Sequence, residues 1–290
     1  MSNFTRRSIF RSLAAASAAA GTRIARAAGS WLRVGVTDWN LYLGANPQSV
    51  RLAARLGFKG IQVSFGRQIT DGRMPADHPE IIAQYLQLSE QYKVPIDGTC
   101  VDRLHINCLK SDPQARKWLL DSIRLTKALK TKVLLVPFFG HCALRTSAEM
   151  DRTGDVLREL APEAEKAGVI LGLEDTISAE NNVRIMDRAR SKNVLVYYDV
   201  GNSTNNGFDV VKEIRWLGKN RICQIHLKDN PHYLGEGSIQ FKPILAAIHD
   251  IGFSGYANLE TQVPKTDLDA GMRRNLAYIR KLMAQVRGAG

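Results

Sequence analysis

The sequence predicts a single-domain (β/α)8 TIM barrel, and three observations lead there. Apolar runs of strand length alternate eight times with amphipathic runs of helix length between Trp31 and the carboxyl end. Strands separated by helices cannot pair as hairpins, so the sheet they build must be parallel. Eight such units in about 260 residues match a closed barrel in size. The alternative is an open, doubly wound sheet. No G-x-G-x-x-G opens a helix after the first strand, which weighs against it.

Taken in order, the first strand is expected from Leu32 to Asp38, followed by a helix from Ser49 to Leu56 that Gly57 stops. The second strand is expected from Gly60 to Phe65 with a helix from Pro79 to Tyr92, and the third from Pro95 to Cys100 with a helix from Pro113 to Leu129. Ser111-Asp112-Pro113 offers the latter helix a cap and a first-turn proline. The fourth strand, Lys132 to Phe138, leads to a helix from Ser147 to Ala167 that Gly168 stops. The fifth, Val169 to Glu174, leads to one from Glu180 to Ala189. The last three strands are expected from Val194 to Asp199, Ile222 to Lys228 and Tyr256 to Glu260. Their helices are Val210 to Leu217, Phe241 to Ile251 and Asp269 to Val286, with Gly252 closing the second of these.

Residues 1–27 stand apart. Thr5-Arg6-Arg7-Ser8-Ile9-Phe10-Arg11 places paired arginines before an Ala-rich run, and Ala25-Arg26-Ala27 offers a small-x-small cleavage site before Ala28. This resembles a twin-arginine export signal, which implies a mature barrel over residues 28–290 in the periplasm or secreted, with no membrane anchor after cleavage. A mitochondrial presequence and a plain Ala-rich helix are the alternatives. Five arginines of this stretch account for five of the twelve surplus positive charges. The remaining surface is mildly basic, and no Lys/Arg cluster interleaves with aromatics, so no nucleic-acid partner is expected. The four cysteines never form a C-x-x-C pair and read as core or free thiols.

In a barrel of this kind, chemistry sits at the carboxyl ends of the strands. The fifth strand runs into Glu174, the sixth into Asp199, the seventh carries His226, and the eighth ends at Glu260. Adjacent strands lie about 4.8 Å apart, so three carboxylates and an imidazole aimed at the axis would repel one another without a cation between them. Three oxygens and one nitrogen form a mostly hard donor set. It favours Mn²⁺ or Mg²⁺, while Co²⁺ or Zn²⁺ could also occupy it. The competing reading is that each acid caps the next helix or pairs with a lysine.

Glu174 in Gly-Leu-Glu, Asp199 in Tyr-Asp-Val-Gly-Asn, His226 in Ile-His-Leu-Lys-Asp, Gly235-Glu236-Gly237 and Glu260 in Leu-Glu-Thr together resemble the xylose-isomerase-like barrels, in particular their sugar isomerase and ketose 3-epimerase branch. The resemblance implies that Glu174, Asp199, His226 and Glu260 hold a divalent metal, Mn²⁺ foremost, with Glu174 and Glu260 also serving as acid and base. It implies too that Lys228 reaches a substrate oxygen. Lys228 lies two residues beyond His226 and so on the same strand face; its competing role is to neutralise the acids. Endonuclease-type members bind several zinc ions with additional histidines, and Asn202 and the lone His226 depart from that pattern. His105, His141 and Trp39 follow strands three, four and one and are candidate substrate contacts.

This set suits a small carbohydrate substrate. A cation binding a ketose carbonyl and its neighbouring hydroxyl would ease loss of the adjacent C–H proton, giving an enediolate. Proton return then yields epimerisation or ketose–aldose isomerisation. Elimination from the same species would make the protein a lyase of 3-keto-glycosides, and a non-catalytic sugar-binding module is the remaining alternative.

Overall fold

The computed structural model describes residues 31–288, so the expected export segment over residues 1–27 and its cleavage site before Ala28 lie outside the described residues. Eight parallel strands close on themselves in chain order: β1 (Arg33–Thr37), β2 (Ile61–Ser64), β3 (Ile96–Cys100), β4 (Val133–Pro137), β5 (Ile170–Glu174), β6 (Val194–Asp199), β7 (Ile222–Leu227) and β8 (Tyr256–Leu259). β8 pairs back onto β1, with Val34 opposite Ala257 and Val36 opposite Leu259, so no strand edge is left exposed.

Around the barrel run α1 (Gln48–Leu56), α2 (Pro79–Tyr92), α3 (Gln114–Ala128), α4 (Ser147–Ala167), α5 (Ala179–Ala189), α6 (Val200–Asn205), α7 (Val210–Leu217), α8 (Phe241–Asp250) and α9 (Leu268–Gly288). The eight expected helices are present, three with the expected bounds and the others with an end moved by one or two residues. The short α6, between β6 and α7, is additional. Local chemistry explains the boundaries. Thr146 and Glu149 form a reciprocal capping box on α4, and Gly168 ends it in a left-handed conformation. At α3 the Asp112 carboxylate accepts from the Gln114 N–H (2.8 Å), where a cap was expected.

Alternation along the strands sorts the side chains. Val34, Val36, Leu171, Leu173, Val196, Tyr198, Ile225, Leu227, Ala257 and Leu259 belong to the main apolar core under the helices. Fully burying each large aliphatic side chain contributes about 1.5–3 kcal/mol. The intervening positions supply a largely polar barrel interior, including Gln62, Asp97, Gln224, His226 and Asn258, all buried.

The cysteines depart from expectation in one pair. Cys108 and Cys142 form a disulfide across 34 residues, whereas Cys100 and Cys223 are free thiols. Neighbouring parallel strands deliver their following loops side by side, so cysteines after β3 and β4 meet although no short spacing announces it.

Candidate metal centre and substrate pocket

Strand register brings the four predicted ligands together. Asp199 on β6 lies directly opposite His226 on β7, and the Glu260 N–H, one residue past β8, donates to the Leu227 carbonyl (3.1 Å). Glu174 ends β5 opposite Pro137 of β4. One donor atom from each of Glu174, Asp199, His226 and Glu260 lies within 4.8 Å of every other. All but Glu260 are buried, and Glu260 is partly so.

The histidine organises the cluster. Its Nδ1 lies 2.8 Å from Glu174 Oε1, 3.5 Å from Glu260 Oε2 and 3.6 Å from Asp199 Oδ2. Its Nε2 points the other way and meets Gln62 Oε1 at 2.7 Å. A ring nitrogen aimed at three carboxylates, with its partner nitrogen held by an acceptor, is the arrangement a histidine ligand needs. These residues fit a hard divalent cation by donor type, convergence and burial.

Electrostatics agree. Burial works against a charged His226, yet Glu260 and Glu174 raise its pKa to about 10. Burial raises the Glu174 carboxyl above its ordinary range. Burial would raise Asp199 as well, but Lys228 and His226 hold it well below. The cluster therefore carries a field that favours positive charge at its centre. Asp199 also realises part of the capping alternative, since its Oδ1 accepts from the Asn202 N–H (2.7 Å) at the start of α6 while Oδ2 remains in the cluster.

Lys228 pairs with Asp199 Oδ2 (2.7 Å) and donates to Glu260 Oε2 (2.5 Å), so it does neutralise the acids, and it lines the pocket as well. Above the cluster opens a cavity of about 430 Å³, bounded by Trp39, Arg67, Asp102, His105, Phe139 and Asn202 among others, with Glu174 and Glu260 in its lining. That size suits a small ligand. A larger hollow of about 650 Å³, lined by Asp151, Arg184, Arg188 and Trp216, contains none of the strand-end residues.

Trp39 is half-buried; its Nε1 donates to Glu260 Oε1 (3.0 Å), and its ring meets that of His226 edge-on at 6.0 Å. His105 stacks on Phe139 at 5.9 Å, and burial, followed by the positive fields of Arg67 and His141, lowers its pKa to about 4. His141 stands apart from the pocket lining: its ring is exposed, with Nε2 3.3 Å from the Ile106 carbonyl. His141 also lies near Cys108 and Cys142, but both sulfurs are consumed by the disulfide.

Sequence reasoning missed Arg67, Asp102 and Phe139 in the lining and Gln62 beneath His226. Gln62 could have been found from its inward position on β2. Arg67 and Asp102 follow strand ends, as the chosen ligands do, but isolated charged loop residues there have no motif to mark them.

A family model described as xylose isomerase-like TIM barrel matches residues 50–282. The chain is 28% identical over 205 residues to 2-epi-5-epi-valiolone 7-phosphate 2-epimerase from an Actinoplanes species, covering 69% of this chain and 73% of that one. It is 25% identical over 236 residues to fructoselysine 3-epimerase of Shigella flexneri, covering 72% and 83%. Among solved structures, a D-tagatose 3-epimerase-like protein shares the fold with a TM-score of 0.74 at 19% identity, over 89% of this chain and 99% of the other. An L-ribulose 3-epimerase does so with a TM-score of 0.72 at 18% identity, over 89% and 96%.

Proposed function

We propose, from the premise that the chain belongs to the xylose isomerase-like TIM barrel family, that it is a divalent-metal-dependent epimerase or isomerase acting on a ketose or keto-sugar. One observation carries this: Glu174 and Glu260 both reach the same convergent donor cluster and both line the cavity above it. A binding module needs no such pair. The epimerase names of the curated relatives support the reaction class.

Glu174, Asp199, His226 and Glu260 would hold the cation, Mn²⁺ foremost. A cation held there would supply electron withdrawal at a carbonyl oxygen and so make the adjacent C–H more acidic. The protein's own groups handle the proton. One glutamate takes it from the carbon beside the carbonyl, and the other returns one to the opposite face, inverting that centre. Return to the neighbouring carbon gives an isomer. Trp39 Nε1 and Lys228 Nζ each hold one oxygen of Glu260, which fixes the direction its carboxylate presents to substrate. Asn202 and His105 supply polar contacts for sugar hydroxyls, and Phe139 an apolar wall.

Turnover of free ketoses and 3-keto-glycosides in deuterated water tests the reading. Mn²⁺-loaded protein should place deuterium at the abstracted carbon, chelated protein should not, and Glu260→Gln should lose the exchange while keeping measurable metal. Release of an aglycone would identify the lyase instead. Turnover without deuterium and without elimination would remove the acid–base roles. We also place the mature protein outside the cytoplasm; a disulfide between two buried cysteines supports that setting together with the paired arginines.

A further inference from the structure

In an eight-stranded ring, β2, β3 and β4 stand across the axis from β6, β7 and β8, so the loops after β2 to β4 face the metal ligands over the cavity. That half carries a cation with nothing to bind. Arg67, three residues past the end of β2, lines the cavity, and its guanidinium has no hydrogen-bond or ion-pair partner among the described residues. Lys228, the other cation in the lining, is paired twice. His105 is neutral above about pH 4, because burial foremost disfavours its charge.

The chain nevertheless fixes where Arg67 sits. The Gly66 N–H donates to Asp102 Oδ2 (3.3 Å), and Arg103 Nη1 donates to the Arg67 carbonyl (2.9 Å). Arg103 is itself held by Asn107 Oδ1 (2.7 Å). Gly66 has φ +83°, and a Cβ there would lie 2.6 Å from the Pro75 ring, so the loop leaves β2 in one direction only. Asp102 lies within the electrostatic field of Arg67 but outside ion-pair distance, its Oδ2 turned to the Gly66 N–H. A backbone held at successive residues lowers the ordering cost of a contact made by the side chain between them.

We propose that Arg67 forms an anion subsite and that the sugar taken by this pocket carries a carboxylate or phosphate at the end remote from the reacting carbon. This rests on the reading of the site as one for keto-sugars. A guanidinium presents a planar fork of donors that matches either group with two parallel hydrogen bonds.

Calorimetric titration of the Mn²⁺-loaded protein with glucose, glucuronate and glucose 6-phosphate tests it, since the three differ only at one end. At least one anion should bind about tenfold tighter than glucose, as hydrogen bonds to charged groups allow. Whichever anion is preferred identifies the group. Arg67→Lys, which keeps the charge and loses the fork, should retain only part of the preference, and Arg67→Gln should bring the ratio of anion to glucose affinity close to one. A ratio near one in the wild type, no binding of either anion, or a preference that survives in Arg67→Gln would overturn the subsite; the last would place the anion on the metal. Binding is read without turnover, so failure of the proton-transfer chemistry would leave this ratio intact and the two readings separable.

Discussion

His226 has two ring nitrogens, and the residues around it give them different work. Gln62 Oε1 accepts from Nε2, and it also accepts from the Tyr197 hydroxyl (2.9 Å). The Gln62 amide nitrogen faces the Thr99 carbonyl (3.4 Å), so its oxygen is the end turned to the imidazole. The proton thus belongs on Nε2, leaving the Nδ1 lone pair for a cation among the carboxylates. Gln62→Met should lower Mn²⁺ affinity about 10–100-fold, the usual cost of losing a hydrogen-bond partner behind a ligand. Competition against a chelator measures this, and Gln62→Glu, which keeps an acceptor, should lie nearer wild type; undiminished affinity in Gln62→Met would remove its orienting role. Gly201 serves the same cluster by being small. A Cβ there would come within 2.5 Å of Lys228 Cγ and 3.0 Å of the Lys228 carbonyl, closing the path by which that lysine crosses to Asp199 and Glu260.

At the scale of strands, helices and loops, the strand ends were legible because period-two alternation fixes which residues point inward, and a run of aliphatics ending in an acid marks where a strand meets the pocket. Glu174, Asp199, His226 and Glu260 were all found this way. The short α6 was not, because Asp199 reads as the end of β6 while its carboxylate also caps the next turn. Arg67, Asp102 and the Cys108–Cys142 bridge depend on which loops become neighbours, and that is known only once the barrel closes. The bridge ties the loop carrying His105 to the one carrying Phe139, the stacked pair of the pocket wall. Constraining an unfolded chain over a 34-residue separation is worth about 3–4 kcal/mol in the loop-entropy account. Cys108→Ser with Cys142→Ser should therefore melt lower than wild type and show a raised KM. Protein denatured without reductant should expose only the thiols of Cys100 and Cys223 to an alkylating reagent. Four reactive thiols, or equal melting temperatures, would refute the bridge as a working part of the protein.

Across the whole molecule, the barrel is unusual in filling its interior with hydrogen-bonded polar side chains where such barrels mostly stack branched aliphatics. Asp97 on β3 accepts through Oδ1 from Gln224 Nε2 of β7 (2.9 Å) and Asn258 Nδ2 of β8 (2.9 Å), which stitches three strands across the axis. Asn258 continues to the Tyr197 hydroxyl (3.4 Å), and Tyr197 to Gln62 and so to His226. The price is a carboxyl in a dry place: Asp97 Oδ2 has no hydrogen-bond partner among the described residues, and burial lifts the Asp97 pKa to about 7, although Asn258 and Gln224 pull it down. In the unfolded chain it titrates near about 3.9, so the folded state holds this proton more tightly. The resulting stability is fully present below about pH 4 and is lost as pH rises through about 7, a change of up to about 4 kcal/mol at ~1.4 kcal/mol per pK unit. Asp97→Asn keeps an acceptor for both amides and cannot ionise. Its stability relative to wild type, read from urea denaturation midpoints, should therefore improve steadily between about pH 4 and about pH 8. A difference that stays flat over that range would mean that Asp97 ionises in the folded barrel as readily as in the unfolded chain, and the interior network would then have to be open to water.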